Sequence, residues 1–291
     1  DMGIFKQDHK RRILVALSDI HSGHNLGLLN PHTALQRENE AGALTDYHPT
    51  ATPFQEYLWD LYQANLKSVK DLAGKDEIIV IHNGDATQGT RFPDAWVSPR
   101  ESDQIAIACA NLRPWLDLQN VTKLRMIKGT SSHVMGDGSS EILIAQQLSA
   151  EYPKKSITAL YHGLFDLDGF TVDAAHHGPA VGMRQWTKGN MMRYYLKSII
   201  NDALDSGFPV ADLTLRAHYH TPHIEAVTRG FRQYWIAVTP SYCGLAAHGI
   251  QATRSEFQIS NGLLAFEIID GKLVQTYPFF ETLDIRAKET L

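Results

Sequence analysis

Residues 13–17, Ile-Leu-Val-Ala-Leu, form a short apolar run that stops at Ser18-Asp19. A run of this kind, with no polar position inside it, reads as a strand buried on both faces of a sheet. Similar runs recur at 78–85 (IIVIHNGD), 123–130 (KLRMIKGT), 164–178 (LFDLDGFTVDAAHHG), 213–218 (LTLRAH), 233–240 (QYWIAVTP) and 263–278 (LLAFEIIDGKLVQTYP). Two of them contain hairpin chemistry, at Asp166-Leu167-Asp168-Gly169 and at Asp270-Gly271. Apolar residues at three- and four-residue intervals predict helices over 54–73, 100–118, 139–150 and 187–206. Early parallel-type units followed by late antiparallel hairpins predict an α/β fold of two packed mixed β-sheets flanked by helices.

The stretch 22–53 breaks this regularity. It is polar, carries Gly23, Gly27, Gly42, Pro31, Pro49 and Pro53, and has no sustained period. Long segments of this type are lids and binding loops, or disorder. We read 1–291 as one domain with a loop or lid insertion at about 22–53.

The chemistry sits where the strands end. The exits read SDIH (18–21), NGD (83–85), KGTSSH (128–133), AHHG (175–178) and AHYH (217–220). Any one of them has an ordinary alternative: Asp-x-His alone is as well explained by a helix N-cap followed by a surface histidine. Taken together these five exits each place Asp or His where the chain leaves a strand, and the carboxyl ends of parallel strands share one edge of a sheet.

In this combination and order, from Asp19 to His220, the pattern resembles the calcineurin-like metallophosphoesterases. The resemblance implies a four-layer αββα sandwich holding two divalent metals. It implies that Asp19 and His21 bind one metal, that Asp85 bridges both, that His220 completes the first site, and that His218 with His176 binds the second. It further implies hydrolysis of phosphate esters by a metal-bridging hydroxide, with an acid protonating the leaving oxygen. Imidazole and carboxylate together suit Mn, Fe, Zn, Co or Ni, and Mn is the first expectation. A bridging carboxylate can hold two cations ~3.5–4 Å apart, close enough to clamp nucleophile and phosphoryl oxygen.

His176 and His177 compete for one role, because neighbours on a strand point to opposite faces. His176 is taken as the ligand and His177 as a substrate-side group. His24, His223 and His248 read as surface or supporting histidines. The family pattern also has Gly-Asn-His, where this chain has Gly129-Thr130-Ser131-Ser132-His133. Either Thr130 occupies the Asn position and His133 is the general acid, or His133 swings in to replace the Asn and the acid is His24 or His177. The first reading is preferred, because an acid poised near neutral pH helps expel an alkoxide. Asp137 and Glu141 would then shape a loop bordering the site, with Ser139 and Ser140 capping the next helix.

Arg91 is a candidate for gripping a substrate phosphate, with a surface salt bridge as the alternative. Residues 178–197 mix Arg184, Lys188 and Arg193 with Trp186, Tyr194 and Tyr195. Cations interleaved with aromatics suit a polynucleotide, although an amphipathic helix burying its aromatic face has the same composition.

Composition sets the outer limits. The 291 residues are 43% hydrophobic and 20% charged, as in a globular protein. A net charge of −5 argues against a non-specific nucleic-acid coat but leaves room for a local basic patch. Cys109 and Cys243, the two cysteines, are expected as free thiols in a reducing compartment. No basic start leads into an apolar leader and no run approaches ~18 apolar residues, so cytoplasmic location and no membrane partner are expected. The substrate expected is a phosphodiester in a nucleotide or DNA. A phosphomonoesterase or protein phosphatase, and a scaffold with weak or no turnover, are the alternatives.

Overall fold

The computed structural model describes residues 10–91, 96–133, 140–182, 185–245 and 257–289. Arg184, Asp137, Ser139 and His248 lie outside them.

The first sheet has six strands. Its centre is β1 (Arg11–Leu17), with β4 (Glu77–His82), β5 (Val121–Ile127) and β6 (Ser156–Leu160) parallel on one side. On the other side lie antiparallel β12 (Gln258–Ile269) and β13 (Lys272–Asp284). The second sheet, of five strands, runs β10 (His223–Arg229), β11 (Arg232–Val238), β9 (Leu213–Arg216), β8 (Phe170–Ala174), β7 (Gly163–Leu167). Within it β8, β9 and β11 are parallel neighbours, and the edge pairs are antiparallel. The predicted hairpins are both present, turning at Asp168-Gly169 and Asp270-Gly271 with positive φ at all four residues.

Alternation along the central strands builds the layers. Ile13, Val15 and Leu17 of β1, with Ile78 and Val80 of β4, point to a cluster shared with α1 (Pro53–Ala73), α2 (Glu101–Leu116) and α3 (Ser140–Glu151). Leu14, Ala16, Ile79 and Ile81 point the other way, onto Val172, Leu213 and Leu215 of the second sheet. Each such burial contributes roughly 1.5–3 kcal/mol, and these strands are buried on both faces. The outer face of the second sheet is covered by α4 (Asn190–Asp205), through Met192, Leu196 and Ile200 against Ile236 and Val238. The result is helices, sheet, sheet, helix: the four-layer αββα order that the sequence predicted.

Two stretches differ from their sequence reading. In 22–53 the first part is packed rather than loose, with Ser22, His24, Leu28 and Leu29 buried. It is held by Asn111 Nδ2, which donates to Ser22 Oγ (3.0 Å) and to the Leu28 carbonyl (2.8 Å). Gln55 Nε2 does the same for the carbonyls of His24 (3.0 Å) and Gly27 (3.1 Å). Beyond it an exposed hairpin forms from β2 (Leu35–Glu38) and β3 (Leu44–Tyr47). In 178–197 the helix buries Met192, Leu196 and Ile200 with Tyr195 half-buried against them, while Tyr194 is 66% and Trp186 79% exposed, so the aromatics do not form one buried face. Cys109 and Cys243 are free and buried, and among the described residues no helix is long and apolar enough to cross a membrane.

Candidate metal centre

Strands β1, β4 and β5 of one sheet and β8 and β9 of the other end at a common edge. Asp19 N–H donates to the Gly84 carbonyl (2.9 Å), and His21 N–H donates to the Asp85 carbonyl (3.1 Å), so the first two exits are tied side by side. At each the backbone turns sharply. Asp19, His21, Asp85, His218 and His220 have φ of 51°, 41°, 54°, 75° and 53°. A non-glycine residue held there costs of order ~1–3 kcal/mol, and such strain gathers at functional sites. Among the described residues the other non-glycine positions with positive φ are the hairpin residues Asp168 and Asp270.

The side chains meet. Asp19 Oδ1 lies 3.1 Å from His220 Nε2, 3.9 Å from His21 Nε2 and 4.0 Å from His176 Nε2. Asp85 Oδ2 lies 3.1 Å from His176 Nε2. Among the described residues three groups could hold a metal ion: Asp19, His21 and His220; Asp19, Asp85 and His176; and His176, His177 and His218.

Hydrogen bonds fix which nitrogens face the centre. His176 Nδ1–H donates to the Asn83 carbonyl (2.7 Å), and His21 Nδ1 pairs with Gln88 Oε1 (3.1 Å). That leaves His21 Nε2 buried with no hydrogen-bond partner among the described residues, and His176 Nε2 buried with only the Asp85 carboxylate before it, out of line for a good hydrogen bond. Orphaned buried nitrogens beside carboxylates are what a metal ligand looks like with no ion between the groups. Two glycines make the room: a Cβ on Gly84 would collide with the His176 ring, and one on Gly129 with Asp85 Oδ1. The donor set therefore fits divalent cations.

Electrostatics agree. Burial alone would raise the Asp19 and Asp85 carboxyls, but His220 and His176 beside the first and His176 beside the second overcome it and hold both well below the usual range. His176 answers in kind: burial works against its charge, yet Asp85 and Asp19 push it up to about 9. Burial and the neighbouring His176 hold His218 down at about 4, and His177 is lowered for the same two reasons.

Thr130 stands against Asp85. Its N–H donates to Oδ1 (2.6 Å) and its hydroxyl to Oδ2 (3.2 Å). His133 packs edge-on against His21, ring centroids 4.6 Å apart, and its Nδ1–H donates to the Gln88 carbonyl (2.7 Å). It belongs to none of the three groups found among the described residues. Arg91 is exposed, two positions beyond Gly89, which packs against Ser132 and His133.

The alternation argument for His176 and His177 does not hold. β8 ends at Ala174, so the two residues are off the strand and both imidazoles border the cluster. Glu141 is also placed differently from its sequence reading. It lies inside α3, fully buried, its Oε1 3.4 Å from the Ala86 N–H and its Oε2 bonded by Ser140 Oγ (2.8 Å). His24 is buried, with Nδ1 accepting from the Leu26 N–H (2.9 Å), and His223 bonds Glu225 (2.7 Å). Gln88, which orients both His21 and His133, was not singled out from sequence. Its position three residues after Asp85 was the available signal.

No family model and no curated protein matches the chain. Solved structures do. A sulfate thiohydrolase, SoxB, from Thermus thermophilus in complex with glycerol aligns at 11% identity and TM-score 0.38, covering 94% of this chain and 56% of that one. A metallophosphoesterase from Sphaerobacter thermophilus aligns at 13% identity and TM-score 0.33, covering 94% and 89%. A protein of unknown function from Aquifex aeolicus, AQ665, aligns at 14% identity and TM-score 0.31, covering 71% and 78%. This chain thus spans little more than half the length of the SoxB chain.

Proposed function

We propose that the protein is a metal-dependent phosphoesterase. The observation that carries this reading is the convergence of Asp19, His21, Asp85, His176, His218 and His220 at one sheet edge, with buried His21 and His176 nitrogens beside two carboxylates. Asp19, His21 and His220 would hold one divalent ion, His176 and His218 a second, and Asp85 both. When bound, the ions supply an activated water and neutralise charge growing on the phosphoryl group.

The chain's own groups do the rest. Thr130 grips both oxygens of Asp85, so the carboxylate is fixed before substrate arrives. His133, its ring oriented by Nδ1–H on the Gln88 carbonyl, is the group that would protonate the departing oxygen. Its place against His21 supports the general-acid role over the role of an Asn substitute beside His218. Arg91, at the surface next to this loop, serves as a phosphate clamp, and Arg184 is assigned the same role from sequence.

A phosphodiester of a nucleotide or of DNA is the substrate we favour. Trp186, Lys188 and Tyr194 are each exposed within one short stretch of chain, the residue types that base stacking and phosphate pairing use. The test is a metal-reconstituted activity panel. Chelated protein supplied with Mn should turn over bis(p-nitrophenyl) phosphate faster than p-nitrophenyl phosphate, and cleave single- or double-stranded DNA. Preference for the monoester would move the substrate to the phosphomonoesterase class. Silence on every ester at full metal occupancy would make the protein a scaffold.

A further inference from the structure

We propose that His177 is itself a ligand of the second metal, so that this site is built from Asp85 and three imidazoles. This rests on the metal-centre reading above. The Asn of the resembling family has no counterpart here, and Thr130 does not supply one. Its backbone N–H and its single hydroxyl proton are both directed at the Asp85 carboxylate, and a neutral hydroxyl is a weak donor to a cation. The hydroxyl does, however, mark where the vacancy falls. It lies 3.1 Å from His218 Nδ1 and 3.4 Å from His177 Nε2, so the His177 ring reaches the place beside Thr130 that a longer amide would fill.

The three rings surround one point. Centroids are 4.9 Å apart for His176 and His177, 4.7 Å for His177 and His218, and 5.3 Å for His176 and His218, and one nitrogen from each lies within 4.8 Å of the other two.

The surrounding chain fixes this arrangement. The Ala217 N–H donates to the His176 carbonyl (2.8 Å), which pins the His176 turn to the segment that runs from β9 into His218. Directly after His177, a Cβ on Gly178 would collide with the Arg216 stem, so a glycine is needed for the chain to pass. Arg216 is anchored in turn on Asp173 Oδ1 (2.5 Å). A nitrogen-rich shell shifts preference toward Zn or Co and away from Mn, because imidazole suits the later ions and oxygen donors the earlier ones. The second site should therefore discriminate against Mn more strongly than the first.

Metal content answers this without an activity assay. Metal-stripped wild type, His177→Ala, His177→Asn and Asp85→Asn would each be equilibrated with an excess of Zn, Co or Mn, dialysed and measured by elemental analysis. Wild type should hold two equivalents. His177→Ala should keep the first and lose the second, a larger effect than the ~10–100-fold weakening that loss of an outer-shell partner brings. His177→Asn should recover the second equivalent and accept Mn there more readily, which also excludes misfolding as the cause of the loss. Two equivalents in His177→Ala with wild-type affinity, or an unchanged Zn-over-Mn preference in His177→Asn, would overturn the proposal and return His177 to the substrate side. If wild type holds no metal, or Asp85→Asn holds as much as wild type, the metal-centre reading itself fails, and this one with it.

Discussion

His176 Nε2 faces Asp85 Oδ2 at 3.1 Å while its Nδ1–H is held by the Asn83 carbonyl. In the metal-free protein this carboxylate, with Asp19, keeps His176 charged up to about 9. A cation and that proton compete for one nitrogen. Metal binding at pH 7 should therefore release a proton, and affinity for the second metal should rise about tenfold per pH unit until His176 loses its proton unaided. Calorimetry in buffers of different ionisation enthalpy measures the proton. An affinity independent of pH between 7 and 9 would contradict the role given to His176.

His133→Ala tests the general acid. Both metals should stay, because His133 belongs to none of the ligand groups. Esters with alkoxide leaving groups should slow by ~10²–10⁴-fold, and p-nitrophenyl esters much less, since p-nitrophenolate departs without a proton. Equal slowing of both, with second-site metal lost, would instead make His133 the substitute for the missing Asn.

Glu141 carries a pH dependence of stability. Burial is the main cause that pushes its carboxyl from 4.5 up to about 7, with the Asp85 charge adding to it. Below pH 4.5 the acid is neutral folded or unfolded and costs nothing. Between 4.5 and 7 the unfolded chain gives up the proton first, so stability falls as pH rises and levels off above about 7. The gap corresponds to roughly 3 kcal/mol. Glu141→Gln should remove this slope from the metal-free protein and raise the melting temperature at pH 8. A pH profile identical to wild type would show that Glu141 is not the buried titrating group.

Gly129→Ala should damage the site through shape alone. The new Cβ would collide with Asp85 Oδ1 and with the Asp85 backbone nitrogen. Overpacking of this kind costs ~1–3 kcal/mol. Stability and metal content should fall together, whereas alanine at Gly169, where a Cβ meets open space but φ is 92°, should cost stability without metal. Unchanged metal content in Gly129→Ala would mean that the carboxylate does not need its present position.

The layers and the gathering of the strand ends were legible because they follow from local rules. Alternation along β1 and β4 distinguishes helix-facing from sheet-facing residues, and parallel strands put Asp19, Asp85 and Thr130 at one edge whatever the loops do. What stayed hidden depends on where a strand stops. The period-2 rule separates His176 from His177 only while the chain is extended, and it ceases to be extended at Ala174. Nothing local marks Glu141 as buried, because it follows a glycine and serine run at the start of the predicted helix. Only the packing of α3 against the Asp85 loop turns it inward. Gln88 was invisible for a related reason: its role comes from a side chain and a carbonyl that serve two histidines distant in sequence.

Whether Asp85 is shared by two cations is tested by anomalous diffraction from crystals of the Mn- or Zn-loaded protein. Two peaks ~3.5–4 Å apart are expected, both in contact with Asp85, one also touching Asp19, His21 and His220 and the other His176 and His218. A single peak, a pair that does not share Asp85, or no peak at this sheet edge would contradict the sharing.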